Sequence, residues 1–295
     1  MSDENGDTNT AEQHTEETSD MPKYHLYIRA SLIDGQSLGA CPICQQGFMI
    51  SYILAEEKNA DFKVWTVNTL NPPAEFLEKN RARIYPFIEG ISGNNYLGQA
   101  IADYTPDSSD DVEKFFEAIN SDCPELKRPT SAANSIYPKI DKISTKMNAF
   151  LKGQGPDGVN AILKLANDHL ATSGTKFLDG NKLSYADCFF LPRLQHIRVA
   201  GKVFRDYEIP AELSELWKYL EDAYKTMAFS ETTPTDEDIL KYHWEKFSDA
   251  ERTQFRKKGI RDNWGSPKGP VPTKTLQVPD FAKNGTVAND DEDQE

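Results

Sequence analysis

Apolar and polar residues alternate from Tyr24 through Leu26 and Ile28 to Ala30, the pattern of a strand with one buried face. From Pro42 onward the apolar positions Ile43, Phe48, Met49, Tyr52 and Ile53 return at helical spacing, with proline at the first helical position, where no amide is missed. A second strand is expected over 62–67, a second helix opening at 71–77, a third strand over 84–88 and a helix over 111–119. Beyond a polar, proline-containing join at 122–135 only helical periodicity remains, over 136–151, 158–170, 185–201, 211–227 and 236–258. Within it, Asp179-Gly180 reads as a turn and Ser184-x-x-Asp187 as a capping box, a folding device rather than a catalytic Asp187.

This order of elements predicts an α/β N-terminal domain over 23–121 and an all-helical domain over 136–262. Composition adds the ends. The first twenty residues carry Asp3, Glu4, Asp7, Glu12, Glu16, Glu17 and Asp20 with no base, and 290–295 are almost all acidic. Most of the net charge of −14 therefore sits in two expected solvated tails, 1–22 and 263–295. An acidic balance without clustered Lys and Arg argues against nucleic acid. No apolar leader precedes the first strand, and four cysteines in 295 residues make no disulfide framework, which points to a reducing cytoplasm.

Chemistry is announced at Cys41-Pro42-Ile43-Cys44, between the first strand and the first helix. Cys41 falls at the helix N-cap, where free amides and the helix dipole favour a thiolate, the reactive form of the thiol. Half a zinc site is the rival reading. Zinc, however, wants four ligands, while Cys123, Cys188 and the five histidines are scattered, so no metal is expected. Inert core cysteines are the other alternative. Pro86 enters the third strand, where it removes a ladder donor and belongs at an edge or in a special turn. If its peptide is cis, the backbone before it faces outward, free to pair with an extended peptide. A Cys-x-x-Cys on the first helix with a proline before the third strand is the thioredoxin-type arrangement.

Three stretches resemble the chloride intracellular channel (CLIC) family: 41–49 around the cysteine pair, 176–188 from Lys176 to Cys188, and 191–201 from Leu191 to Gly201. The third, with its continuation through Tyr207, Pro210, Trp217 and Tyr219, is similar to the invertebrate branch. The resemblance implies the glutathione S-transferase architecture, a thioredoxin-like domain followed by an all-α domain. It implies glutathione as co-substrate, with Cys41 forming the mixed disulfide and Cys44 as resolving or spare thiol. Tyr85 would offer its backbone to glutathione beside Pro86, with Phe87 alongside. The γ-glutamyl group would be met by Ser108, Ser109 or Asp110, three alternatives at the end of a polar stretch over 90–111.

The family is also associated with membrane lipid and with a chloride conductance, as a possible homo-oligomer in the membrane. Residues here give that life little support. After Gly47–Ala55 come Glu56, Glu57, Lys58, Asp61 and Lys63, and each charge at bilayer depth costs about 2.5–3.5 kcal/mol. The basic run of the vertebrate members is reduced to Lys202-Val203-Phe204-Arg205, and their acidic loop is missing. Arg252, Arg256, Lys257, Lys258 and Arg261 fit a solvated helix face before they fit a lipid contact. Two functions are thus expected: glutaredoxin-like thiol–disulfide exchange, and conditional membrane association with anion conductance. An omega-transferase-like enzyme without a channel role and a non-catalytic interaction module are the alternatives.

Overall fold

The structure is a computed structural model that describes residues 21–95, 99–102, 105–119, 123–131, 133, 135–266 and 272–283. Both acidic ends, 1–20 and 284–295, lie outside them, as do parts of the polar stretch and of the join.

β1 (Lys23–Arg29) is the centre of a sheet ordered β2-β1-β3 among the described residues. It runs parallel to β2 (Asp61–Val67) and antiparallel to β3 (Phe87–Ser92). The alternation has its expected consequence: Tyr24, Leu26 and Ile28 turn to one side and are buried. That side is covered by α1 (Pro42–Glu56) and α3 (Ser109–Ile119), with the Tyr24 ring meeting Phe115 edge-on at 5.0 Å. On the other side Tyr27, Val67 and Phe87 pack on Phe76 of α2 (Ala74–Lys79). The third strand begins at Phe87, later than expected, because Pro86 has no amide to give the ladder.

The second domain is built round α7 (Tyr185–Arg205), buried along nearly its whole length even though Pro192 lies inside it. α4 (Tyr137–Ile140) and α5 (Ile143–Leu151) pack against it, and α6 (Asp157–Ser173) packs on those two. α8 (Ser214–Tyr224), α9 (Met227–Ser230), α10 (Asp236–Trp244) and α11 (Asp249–Lys257) complete the bundle. The capping box at its start is closed. The Ser184 amide donates to Asp187 Oδ2 at 2.8 Å, and Asp187 Oδ1 takes the Leu178 amide at 3.0 Å, which fixes the Asp179-Gly180 turn against the helix.

Three expected helices are broken. Over 136–151 the ladder lapses at Asp141 and Lys142, which keep helical dihedrals, so direction is retained. Over 211–227 Thr226 is extended. Over 236–258 Ser248 starts a new helix with its own capping box to Glu251. The expected tail also differs: 272–283, with α12 (Asp280–Lys283), packs on the bundle. Gln195 and Arg198 of α7 donate to the carbonyls of Thr275 and Gln277, the first at 2.8 Å, and Val278 is buried. Donors buried on α7 need acceptors, and this segment supplies them.

The domains meet chiefly through α1 and α7. Arg193 donates to Gln46 Oε1 at 3.2 Å, Gln45 Nε2 donates to Thr233 Oγ1 at 3.0 Å, and the Ser31 hydroxyl donates to Asp238.

Candidate functional site

The end of β1 delivers the chain to Cys41 through a close approach. The Gly39 amide donates to the Arg29 carbonyl at 3.0 Å, and a Cβ at Gly39 would stand 2.3 Å from the Ala30 carbonyl oxygen. Glycine is the residue that fits there. Cys41 then caps α1 in an extended conformation (φ −90°, ψ 113°), with Pro42 entering the first turn.

Its sulfur closes no formal capping bond but lies in the field of the helix start. The Cys44 thiol, then the amides of Cys44 and Ile43 and the charge of Arg29 hold the Cys41 thiol down at about 6, against the opposing effect of burial. Cys44 has the reverse environment. It is 1 % exposed, and burial first, then the neighbouring sulfur, push its thiol well above the ordinary range. Of the pair, Cys41 alone is set up as a nucleophile. The cysteines of the described residues are free thiols, Cys123 and Cys188 being buried away from the pair.

Beside α1 a groove is walled by Ile43, Gly47, Tyr85, Pro86, Ser109 and Phe116, among others. The Tyr85–Pro86 peptide is cis. A Cβ on Gly47 would come within 2.9 Å of Pro86 Cγ, so α1 and the proline loop touch at this glycine. Three residues expected at the site therefore share one groove alongside α1: Tyr85, Pro86 and Ser109.

Two do not. Phe87 is fully buried on the opposite face of the sheet, against Phe76, because successive strand residues point to opposite sides. Asp110 is exposed and stands outside the groove lining. Ser108 is occupied at the start of α3, donating to Asp111 Oδ2 at 2.7 Å. Ser109 is thus the one of the three alternatives that faces the groove.

Sequence reasoning missed several neighbours. Glu113 and Arg128 line the groove as an ion pair at 2.6 Å, and the Tyr185 hydroxyl donates to Glu113 at 3.0 Å. Tyr242 of α10 and Lys246 just beyond it interact with the Cys41 sulfur, as do Arg29 and Arg193. Nothing in their local sequence marks them. Among the described residues no group of three or more His, Cys, Asp or Glu stands together in a way that could hold a metal ion.

Residues 22–88 match the family model for the CLIC-like N-terminal domain, and 152–222 that for the glutathione S-transferase C-terminal domain. Among solved structures, the CLIC homologue EXC-4 of C. elegans shares the fold at TM-score 0.68 and 22% identity, covering 90% of this chain and 97% of that one. A dehydroascorbate reductase of Chlamydomonas reinhardtii is similar at TM-score 0.57 and 25% identity, over 76% of this chain and 97% of that one. The chloride intracellular channel Clic of Drosophila melanogaster is 35% identical over 239 residues, 78% of this chain and 86% of the relative. On that sequence similarity, with the transferase-like fold beneath it, the chain belongs to the chloride intracellular channel family.

Proposed function

We propose that the protein is a one-thiol, glutathione-dependent thiol–disulfide oxidoreductase. The observation that carries this reading is the Cys41 thiol held down at about 6 at the N-cap of α1, the helix whose Ile43, Gln46 and Gly47 wall a groove with Tyr85, Pro86 and Ser109. A thiol so placed is largely thiolate at neutral pH, and its pKa is close to that of the best attacking thiols. Tyr85 borders that groove with its backbone outside the ladder that starts at Phe87, a place for an extended thiol peptide to pair.

Cys41 attacks one sulfur of a disulfide. A new S–S bond forms, the old one breaks, and the departing sulfur leaves as a thiolate that takes a proton. A glutathione thiolate attacks the retained sulfur, a new S–S bond forms, the bond to Cys41 breaks and Cys41 leaves as its thiolate. Where the retained half is not itself glutathione, a second glutathione thiolate displaces it as a thiol and the two glutathiones leave as their disulfide. Cys44 takes no necessary part, since burial keeps it protonated. The similarity to a protein described as a dehydroascorbate reductase supports small-molecule reduction at a site of this kind. Glutathione-dependent reduction of bis(2-hydroxyethyl) disulfide tests the reading. Turnover abolished in Cys41→Ser and retained in Cys44→Ser is expected; a wild-type protein with no turnover sinks it.

A second reading, a chloride conductance in membranes reached from the cytoplasm, is supported by the description of the Drosophila relative as a chloride intracellular channel. No helix among the described residues is long and apolar enough to cross a membrane, so this life requires refolding of the N-terminal domain. Chloride efflux from anionic liposomes, at neutral and acidic pH and with and without oxidant, is its test. Absence of efflux under all four conditions removes it.

A further inference from the structure

Two helices wall the groove, and each does so with residues at the spacing of one helix face. α1 contributes Ile43, Gln46, Gly47 and Ile50, and α3 contributes Ser109, Val112, Glu113, Phe116 and Glu117. Leu126 and Arg128 of the join and Tyr185 of α7 also line it. Ile50, Val112, Phe116 and Leu126 are buried, whereas Ile43 stands 55 % exposed. Apolar walls with a few polar groups set into them are the make-up of a small-molecule site.

Charge decides what such a molecule carries. Both oxygens of Glu113 are taken: Oε2 accepts from the Arg128 guanidinium at 2.6 Å and Oε1 from the Tyr185 hydroxyl at 3.0 Å. Arg128, the one cation among the described lining residues, is engaged in that pair. Glu117 lies one turn further along the same face of α3 and is half-buried. Among the described residues it has neither a hydrogen-bond nor an ion-pair partner. The lining is thus left with one uncompensated carboxylate beside apolar walls, where opposite charges attract more strongly than in open water. Glutathione does not match it. That tripeptide carries two carboxylates for one ammonium, and the described lining holds no free cation to meet them.

We infer that this groove is a binding site for a small amphipathic amine, its ammonium on Glu117 and its apolar body against Ile50, Val112, Phe116 and Leu126. The site goes beyond the oxidoreductase reading, and its occupation requires no approach to the Cys41 sulfur.

Three probes that share one body test this on the full chain at pH 7. They are 4-phenylbutylamine, 4-phenylbutanol and 4-phenylbutyrate, with dissociation constants read by ligand-observed NMR. The amine is expected to bind roughly fivefold more tightly than the alcohol, with the carboxylate weakest. Glu117→Gln brings the amine level with the alcohol, and Glu117→Asp keeps part of the difference. Ile43→Ser, at a position already exposed, weakens all three alike. The chain is acidic overall, so Glu78→Gln on α2, at the other face of the sheet, is the control for general attraction and leaves the amine preference in place. Equal binding of the three probes or a tighter carboxylate overturns the inference, as does a fall in Glu78→Gln as large as that in Glu117→Gln.

Cys41→Ser should bind the amine as the wild type does, which separates the two readings. Amine binding by a chain without disulfide turnover removes the oxidoreductase and leaves the amine site standing. Turnover by a chain that binds no amine does the reverse.

Discussion

Cys44 lies buried behind Cys41 in the first turn of α1, and its thiol is the largest single influence holding Cys41 at about 6. The amides of Cys44 and Ile43 and the charge of Arg29 add to it, and burial works against all of them. One sulfur is thus kept protonated so that the other is not. On the proposed oxidoreductase reading, this asymmetry is what would let a two-cysteine motif work through one thiol.

Alkylation of Cys41 by iodoacetamide should follow a single titration with its midpoint near pH 6. Cys44→Ala removes the largest lowering influence, and the midpoint rises toward the ordinary thiol range. Cys44→Ser keeps a donor and shifts it less. The same change has a sign in stability. A thiol whose folded pKa is below its unfolded value of 9.0 adds stability above that value, and the contribution is lost as pH falls through about 6. Cys41→Ser should therefore flatten the rise of unfolding free energy between pH 6 and 9, read by urea denaturation; parallel profiles would show that the thiolate is not favoured by the fold.

Gly47 is where α1 touches the proline loop. Alanine there gains about 0.8–1 kcal/mol of helix propensity, but its methyl would meet Pro86 Cγ at 2.9 Å and Phe116 at 3.6 Å, and overpacking costs about 1–3 kcal/mol. Gly47→Ala should be slightly destabilised, and its KM for glutathione should rise more than its kcat falls. Unchanged kinetics would separate the groove from glutathione binding.

Asp187 holds the start of α7. It is fully buried, and burial lifts its carboxyl to about 6 although Ser184 and the Leu178 amide bond to it. Asp187→Ala leaves those donors without an acceptor and should cost about 3 kcal/mol or more by chemical denaturation. The pH dependence is the opposite of that of Cys41. With the folded pKa above the unfolded 3.8, the group's contribution grows as pH falls from about 6 toward 3.8. Relative to wild type, Asp187→Asn should lose that growth; an unaltered slope would mean the carboxyl ionises as freely in the fold as outside it.

What could be read from the chain was what local spacing encodes. The alternation at Tyr24, Leu26 and Ile28, the N-cap position of Cys41 and the box at Ser184 each depend on residues within a turn or two. The split of 236–258 is also encoded, since Ser248-Asp249-Ala250-Glu251 has capping-box spacing. The contribution of the helical domain is not. Tyr242 and Lys246 come within electrostatic range of Cys41 only because α10 folds back on the first domain, an arrangement that includes the bond from Ser31 to Asp238. Phe87, set beside Pro86 by the family resemblance, belongs to the other face of the sheet because the pleat turns it away from the groove.

The segment 272–283 shows how far composition misleads. It is polar and proline-flanked, yet Thr275 is tied to Asp236 at the start of α10, its amide at 3.0 Å and its hydroxyl at 2.6 Å. Val278 and Ala282 are buried, and Phe281 meets the Trp217 ring edge-on at 5.7 Å. Removing the chain after residue 271 takes the acceptors from Gln195 and Arg198 and uncovers part of the α7 and α8 surface. The loss should be about 2–4 kcal/mol, with a lower Tm and a red shift of tryptophan emission as Trp217, 1 % exposed in the fold, meets water. Phe281→Ala should give the red shift with a smaller fall in Tm. A truncated chain with unchanged Tm and emission would return this segment to the solvated tail that its composition suggests.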